Sequence, residues 1–361
     1  MTVLAFIVIL GALILVHELG HFWAAKRAGI KVEEFGLGYP PRLLTLGHWG
    51  ETEYTLNAIP FGGFVRMAGE EDPDIPRSLA SKSKRVRLVV LGAGAAVNLL
   101  LAFALFWATF LLGVPVPVEF NGVSILNVAS DSPAEAAGLR RGDLILAVDG
   151  SSVQSPQKLT DYIHQHLGEE IRLKVQRGEE TLNVPVVPRQ KWPENQGPVG
   201  VVIQPRASKT EIHAYPWWQA LWLGLRQTLS TILLTLYVPV LVLRGLMPAK
   251  AIRPVGPVGI AQMAGNAARR VVSTGWWFPL LQLTATISAG LCLANLLPLP
   301  GLDGGRILFV ILEAIRGRRI SPEKEGIIHL IGMALLIILM LIITYHDIAS
   351  PVPSINWGEF F

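Results

Sequence analysis

The chain has 361 residues, of which 51% are hydrophobic and 16% are charged, a composition typical of a membrane protein. The formal net charge of +4 is small, so it predicts basic cytoplasmic loops and no nucleic-acid partner. The single cysteine, Cys292, excludes an intrachain disulfide and a cysteine-rich zinc site, so any metal must be bound by His, Asp or Glu.

The first apolar run, about Val3–Ala25, predicts a transmembrane helix that contains an H-E-x-x-H motif at His17, Glu18 and His21. Two histidines four residues apart lie on one face of a helix and can bind the same zinc ion, and the intervening glutamate is the usual general base of a metalloprotease. Ionisable residues within a span indicate a functional site. The motif therefore indicates hydrolysis inside the membrane. The alternatives are incidental histidines on an amphipathic helix, or a signal peptide, which would need a basic N-terminal region.

Three further apolar runs predict transmembrane helices, each near the ~20 residues that a bilayer requires. They are Val86–Leu112, Trp277–Leu297 and Ile327–Thr344, with approximate bounds. Basic residues cluster in the loop after the first run and in the loop between the last two. By the positive-inside rule both loops are cytoplasmic, which leaves both termini and the segment from about Gly113 to Pro216 outside.

The run Trp217–Met247 is also long and apolar enough to span. If this run crossed the membrane, the third span would run in the opposite direction, and the basic loop after it would face outward. We therefore expect a re-entrant or interfacial helix anchored by tryptophans, and four crossings in total. The basic residues that follow this run favour five crossings instead.

Residues alternate in character over Glu51–Met67, around a turn at Pro60-Phe61-Gly62-Gly63. This pattern predicts a β-hairpin at the membrane interface, whose edge could pair with an extended substrate. Gly62 and Gly63 are therefore candidate substrate-binding residues. An ordinary cytoplasmic hairpin is the alternative.

The outer segment, about Val116–Pro205, is polar and has short alternating strands. Within Ser132–Gly150 it resembles a bacterial, protease-associated PDZ domain, a type that binds extended chains by strand addition. We expect the groove at Gly122, Val123, Ser124 and Ile125. The alternative is a steric cap without a ligand.

A catalytic zinc site takes three protein ligands, so the H-E-x-x-H motif requires one more. Asp303 is the best candidate, because prolines and glycines just before it break the helix, and irregular backbone at membrane depth faces protein or a water-filled cavity. Asp303 could instead cap a helix. Other acidic or histidine residues remain as alternative ligands: His48, Glu51, Glu53, Glu70, His329 and His346.

The order of motifs along the chain resembles that of site-2 proteases, bacterial sigma-E regulatory type. The motifs are HELGH, TEYTLNAIPFGGFVRMAGE, GAGAAVN, one PDZ-like domain, GPVGIAQMAG and NLLPLPGLDGGR. The resemblance implies zinc ligands at His17, His21 and Asp303, a catalytic base at Glu18, and substrate handling by Asn295 and Pro298. The tandem PDZ domains common in that group are a difference, since this chain has room for one.

The resemblance also implies one Zn²⁺ per chain, an inner-membrane location with the active site near the cytoplasmic side, and single-span substrates similar to anti-sigma factors. We expect further contacts with the lipid bilayer and with a peptide or C-terminal ligand of the PDZ-like domain. The alternative functions are a membrane zinc protease that cleaves cytoplasmic-face loops and a non-catalytic PDZ scaffold.

The expected fold is a polytopic α-helical membrane protein of about four transmembrane helices, with a membrane-associated β-hairpin and one inserted extracytoplasmic PDZ-like α+β domain. The predicted domains are a first membrane half, the PDZ-like domain, an amphipathic or re-entrant segment, and a second membrane half: 1–114, 115–206, 207–275 and 276–361.

Overall fold

The computed structural model describes residues 1–70, 72–193, 196–244 and 254–351, without the side chain of Phe61. Over these residues the chain divides into two compact units. The first, called the membrane unit, comprises 1–114 and the described residues from 214 onward, and the second, 115–213, is called the outer unit after its predicted location. Parts of the predicted domains 207–275 and 276–361, at 245–253 and 352–361, lie outside the described residues.

Helices dominate the membrane unit. They are α1 (Thr2–Arg27), α2 (Lys84–Leu112), α5 (Trp217–Leu243), α6 (Pro257–Thr274), α7 (Phe278–Leu296), α8 (Asp303–Arg316) and α9 (Pro322–Ala349). At 1.5 Å per residue, α1 is about 39 Å long, enough to cross a hydrocarbon core. Helices α3 (Pro133–Ala136) and α4 (Pro156–Gln165) belong to the outer unit.

By length and composition, five of the described helices could cross a membrane: α1, α2, α5, α7 and α9. The additional helix is α5, for which the sequence predicted a re-entrant or interfacial segment. It is one continuous helix of 27 residues that packs along α2 and α7. The close approach is possible because Gly224 lies against the backbone of Trp107, where a Cβ would be only 2.8 Å from the amide nitrogen. Because length and composition alone make α5 a candidate span, its re-entrant or interfacial placement stays a prediction.

Strands β1 (Val32–Trp49) and β2 (Thr52–Met67) form an antiparallel sheet after α1. The first part of β1 pairs on both of its edges, since Phe35 is opposite both Val65 and Tyr54. The second part of β1 pairs only with the start of β2, from Trp49 opposite Thr52 to Arg42 opposite Asn57. The sheet thus has four arms, in the order 42–49, 52–57, 32–39, 59–67.

This pairing differs from the predicted hairpin around Pro60–Gly63. Both Leu56 and Gly63 are opposite Leu37, so the two arms of β2 flank β1 and are not paired with each other. The segment 57–62 crosses from one side of β1 to the other. Gly62, at a φ of +73°, packs on Ile14 of α1, where a Cβ would overlap the isoleucine side chain. The arm 59–67 consequently lies beside α1.

Apolar packing joins the sheet to three helices. A buried cluster combines the end of α1, both strands, the start of α2 and one residue of α8: Ala25, Ile30, Val32, Met67, Leu79, Val90, Leu91 and Val310. The helices α1 and α2 approach closely at Gly20, whose Cβ position is 2.7 Å from the carbonyl oxygen of Ala93. This packing fixes one face of α1 against α2.

The outer unit has a six-stranded sheet in the order β7-β6-β4-β3-β8, with β5 paired to β4. The strands are β3 (Val114–Val128), β4 (Leu144–Val148), β5 (Ser151–Ser152), β6 (Ile171–Arg177), β7 (Glu180–Val186) and β8 (Val201–His213). Alternate residues of β6, at Ile171, Leu173 and Val175, are buried against α4 and the other strands, which gives this unit its own core.

Candidate metal centre

The two histidines of the H-E-x-x-H motif are one turn apart on the buried face of α1. Their Nε2 atoms lie 3.1 Å apart, and their ring centroids lie 4.8 Å apart. Gly94 of α2 lies against both imidazoles: a Cβ at this position would be 2.5 Å from Nε2 of His21 and 2.6 Å from Nε2 of His17. A glycine is therefore required here to leave the face of both nitrogen atoms open.

Asp303 reaches the same point from the far end of the chain. Its Oδ2 atom lies 3.0 Å from Nε2 of His17 and 3.2 Å from Nε2 of His21. The chain leaves α7 after Leu296 and starts α8 at Asp303, and the break between them packs tightly on the first turn of α8. A Cβ at Gly304 or Gly305 would overlap carbonyl oxygens of this break. The Asp303 side chain points at the imidazoles and does not cap its own helix.

The three converging atoms fit a zinc ion. Four ligands at about 2.0–2.1 Å in a tetrahedron are about 3.3 Å apart, close to the 3.0–3.2 Å separations of these atoms. Two imidazole nitrogens and one carboxylate oxygen form the donor set of many catalytic zinc sites, and a fourth position remains for water. Within the described part of the chain these residues form the one group of three or more able to hold a metal ion: His17, His21 and Asp303.

Each imidazole is held through its other nitrogen, as metal-binding histidines usually are. Nδ1 of His21 lies 2.9 Å from the carbonyl oxygen of Val90, to which it donates. Nδ1 of His17 lies 3.2 Å from Nδ2 of the fully buried Asn98, whose Oδ1 has no partner among the described residues. With the amide oxygen and nitrogen of Asn98 exchanged, the oxygen accepts the Nδ1 proton. Both Nε2 atoms are then free to bind a metal.

Glu18 lies beside the three converging residues and is anchored by the sheet. Its Oε2 atom accepts a hydrogen bond of 3.1 Å from the backbone N–H of Val65, on the arm of β2 next to α1. This N–H consequently points away from β1 and toward the site. The sheet thereby holds the carboxylate in the cavity that His17 and Asp303 also line.

Two cavities meet at Glu18 and Asp303. The larger, about 330 Å³, is lined by Ile14, His17, Glu18, Tyr39, Asn98, Leu291, Asn295, Gly301, Leu302 and Asp303. The smaller, about 200 Å³, is lined by Glu18, His21, Phe64, Val65, Met67, Glu70, Leu91, Asp303 and Arg306. The reacting groups are therefore accessible from two sides.

Two cavity residues, Tyr39 and Arg306, were not singled out from the sequence for this site. Tyr39 faces Glu18, and burial together with the negative charge of Glu18 raises the pKa of the Tyr39 hydroxyl, which keeps it a hydrogen-bond donor. Glu70 pairs with Arg306 at the wall of the smaller cavity. Glu70 had been an alternative metal ligand, but this ion pair gives it a different partner. Only the L-D-G-G-R sequence next to the ligand could have indicated Arg306.

The predicted substrate-handling residues lie in different places. Asn295 lines the larger cavity together with Glu18 and Asp303. Pro298 is exposed in the break between α7 and α8. Gly63 lies on the β2 arm next to α1, where a Cβ would be 2.6 Å from the carbonyl oxygen of Gly36, and Gly62 packs on α1.

The predicted groove of the outer unit, at Gly122, Val123, Ser124 and Ile125, is corrected by the sheet order. These residues lie on β3, which is an inner strand because β4 pairs on one side and β8 on the other. Val123 and Ile125 are buried in the core. An inner strand has no free edge for strand addition, whereas β8 ends the strand order.

The family model and the similar proteins all indicate the same family. The model of peptidase family M50 matches residues 5–339. A zinc metalloprotease RasP from Oceanobacillus iheyensis is 30% identical, over 96% of this chain and 98% of that protein. The RasP of Geobacillus kaustophilus is also 30% identical, over 96% of this chain and 97% of that protein. The regulator of sigma-W protease RasP from Bacillus subtilis is 28% identical, over 96% and 98%.

Solved structures similar to this chain include two PDZ domains of SdrC-like proteins. That from Listeria monocytogenes is 28% identical and covers 24% of this chain and 93% of its own, with a TM-score of 0.22. That from Listeria innocua is 32% identical and covers 23% of this chain and 92% of its own, with a TM-score of 0.21. By the match over most of its length, the chain belongs to peptidase family M50, the site-2 protease family, and is a zinc metalloprotease.

Proposed function

We propose that this chain is an intramembrane zinc endopeptidase in which His17, His21 and Asp303 bind the metal and Glu18 is the catalytic base. The convergence of the three ligand atoms, two of which are on the apolar helix α1, carries the proposal. His17 precedes Arg27, the basic end of α1, by ten residues, or about 15 Å along the helix axis. The metal centre would therefore lie within the hydrocarbon core and not at its surface.

The chemistry follows from the residues around the centre. A zinc ion held there would polarise the scissile carbonyl and lower the pKa of a water molecule. Glu18 accepts the proton of the attacking water and passes it to the leaving amine nitrogen. Val65 holds the Glu18 carboxylate in place through its N–H, and Asn98 and Val90 hold the two imidazoles.

A transmembrane substrate must be extended before cleavage, because a helix hides its own peptide bonds. The N–H and C=O groups of the extended segment then need hydrogen-bond partners within the protein. The outer edge of the β2 arm 59–67 supports pairing with such a segment. Backbone groups at alternate residues point the same way along a strand, so Gly63 presents its groups on the same edge as Val65. Asn295 offers both a donor and an acceptor in the larger cavity.

The substrate class is single-span membrane proteins, cleaved within or next to their transmembrane segment. One relative is named a regulator of sigma-W protease, which supports regulators similar to anti-sigma factors as substrates. The basic loops after α1 and after α8 support a bacterial inner-membrane location, with the active site toward the cytoplasm and the outer unit outside. Lipid is then the surrounding medium of the membrane unit.

For the outer unit we propose a peptide-binding or substrate-excluding role. The free edge of β8 supports strand addition there, since α4 lies alongside β8 and an extended ligand could be held between them. Binding of a new C-terminus would favour substrates already trimmed on the outer side.

The test is zinc content together with cleavage of a model membrane-spanning peptide in lipid vesicles, comparing the native chain with Glu18→Gln. The native chain should hold zinc and cleave, whereas the variant should hold zinc and lose about 10²–10⁴-fold in cleavage rate, because the amide cannot accept the proton. Moving the cleavage site out of the bilayer should abolish cleavage. Near-native activity of Glu18→Gln would contradict the assignment of the base, and faster cleavage of an exposed site would favour a surface protease.

A further inference from the structure

Helix α9 contacts the break between α7 and α8 through its backbone. Most side chains of α9 are exposed, and its buried residues are Gly332 and Asp347. A Cβ at Gly332 would overlap Pro300, and a Cβ at Gly301 would lie 3.2 Å from the backbone nitrogen of Met333. Glycines on both sides thus allow α9 to lie directly on Pro300–Gly301, just before Asp303.

His329 lies on the same face of α9, three residues before Gly332. Its Nδ1 atom accepts a hydrogen bond of 2.9 Å from the backbone N–H of Gly301. Gly301 has a φ of +94° and lies outside both neighbouring helices, so its N–H has no helical partner. In a membrane such a group must be satisfied within the protein, and His329 supplies the acceptor.

The imidazole of His329 is itself oriented by its neighbours. Its side chain is 13% exposed, and Nε2 lies 3.9 Å from a carboxylate oxygen of Glu325, one turn earlier. The ring of Phe309 on α8 lies 5.3 Å away between centroids. For Nδ1 to accept from Gly301, the proton must be on Nε2, which has no hydrogen-bond partner among the described residues, since the nearest carboxylate oxygen of Glu325 is 3.9 Å away. The contact with Gly301 consequently fixes the tautomer of the ring.

We propose that His329 is a positioning residue for the metal ligand Asp303. By holding the N–H of Gly301, it fixes the break two residues before Asp303, so that the carboxylate reaches His17 and His21. A displacement at Gly301 is transmitted to Asp303, because Gly304 and Gly305, which directly follow Asp303, pack on the carbonyl groups of the same break. This inference rests on the proposed function, in which Asp303 is a zinc ligand.

The test is the rate at which the full-length, zinc-loaded protein releases zinc to a chelator, measured without substrate. His329→Asn keeps an acceptor near the place of Nδ1, His329→Gln moves the acceptor outward toward the place of Nε2, and His329→Leu removes it. We expect zinc release to be about 10–100-fold faster in His329→Leu and His329→Gln and close to the native rate in His329→Asn. Leu330→Ala, an exposed neighbour on α9, is the matched control and should release zinc like the native chain.

Two results would overturn the positioning role: native zinc release in His329→Leu, or equal loss in all three His329 variants, which would indicate a packing effect of the ring. The readout is independent of proteolysis. A native chain that binds zinc but does not cleave a membrane-spanning peptide would therefore refute the proposed function and leave the His329 comparison interpretable.

Discussion

The carboxylate of Asp303 lies 3.0 Å from Nε2 of His17, although 286 positions separate the two residues in the chain. Neither residue could reach the other without two features of the backbone. The face of α1 must be open at Gly94, and the chain must break between α7 and α8. The proposed metal centre is therefore sensitive to the packing of α2 and α7, which contribute none of its three ligand residues.

Gly94→Ala should abolish zinc binding, because the added Cβ would lie 2.5–2.6 Å from the Nε2 atoms of both histidines. Zinc per chain, measured by elemental analysis of the purified protein, checks this. The matched control is Gly92→Ala on the same helix, where a Cβ would meet nothing within 4 Å. Alanine is the better helix former by about 1 kcal/mol, so helix propensity favours both variants and cannot cause the loss. Full zinc content in Gly94→Ala would contradict this geometry.

Asn98→Leu should weaken zinc binding about 10–100-fold, since the Nδ1 proton of His17 loses its acceptor. Asn98→Asp should retain zinc, because a carboxylate oxygen can accept the same proton. Competition with a chelator of known affinity measures both variants. If leucine supports native affinity, the contact with His17 is incidental and Asn98 serves only helix packing.

Asn295→Leu should slow proteolysis while leaving bound zinc unchanged, because its amide lines the larger cavity but is not a metal ligand. Losing one or two hydrogen bonds to an extended substrate should cost about 1–3 kcal/mol, or about 5- to 150-fold in kcat/KM. Cleavage rate and zinc content must be measured on the same preparation. Parallel loss of both would instead indicate a structural role for Asn295.

Arg87→Met should destabilise the membrane unit by about 2 kcal/mol, because it removes the partner of Glu313 at 2.6 Å and leaves only Arg319, at 3.3 Å, paired with this carboxylate. Both side chains are largely buried, and their pair joins the start of α2 to α8. Arg85→Met, at an exposed position two residues earlier, should change the thermal unfolding midpoint little. The double variant Arg87→Met with Glu313→Leu should recover most of the loss. A native midpoint in Arg87→Met alone would show that the pair contributes nothing.

The local features of the centre could be predicted from sequence. The four-residue spacing of His17 and His21 puts both on one helix face whatever the tertiary structure, and the prolines and glycines before Asp303 predict a break in any context. The helix bounds followed in the same way from apolar length. These features depend on neighbours along the chain.

The features that depend on distant partners could not be predicted. The two arms of β2 flank β1 because of pairing across the sheet, which alternation within Glu51–Met67 does not reveal. The groove prediction at Val123 failed for the same reason, since strand order decides which edge is free. The roles of Gly94 and His329 depend on which helices meet, and one sequence does not specify helix neighbours.

Zinc per chain in the native protein and in Asp303→Ala, purified side by side and measured by elemental analysis, tests the account most directly. We expect about one zinc per native chain and almost none in the variant, because two imidazoles alone hold the ion weakly. A full equivalent of zinc in Asp303→Ala would contradict the assignment of Asp303 as the third ligand and the centre built on it.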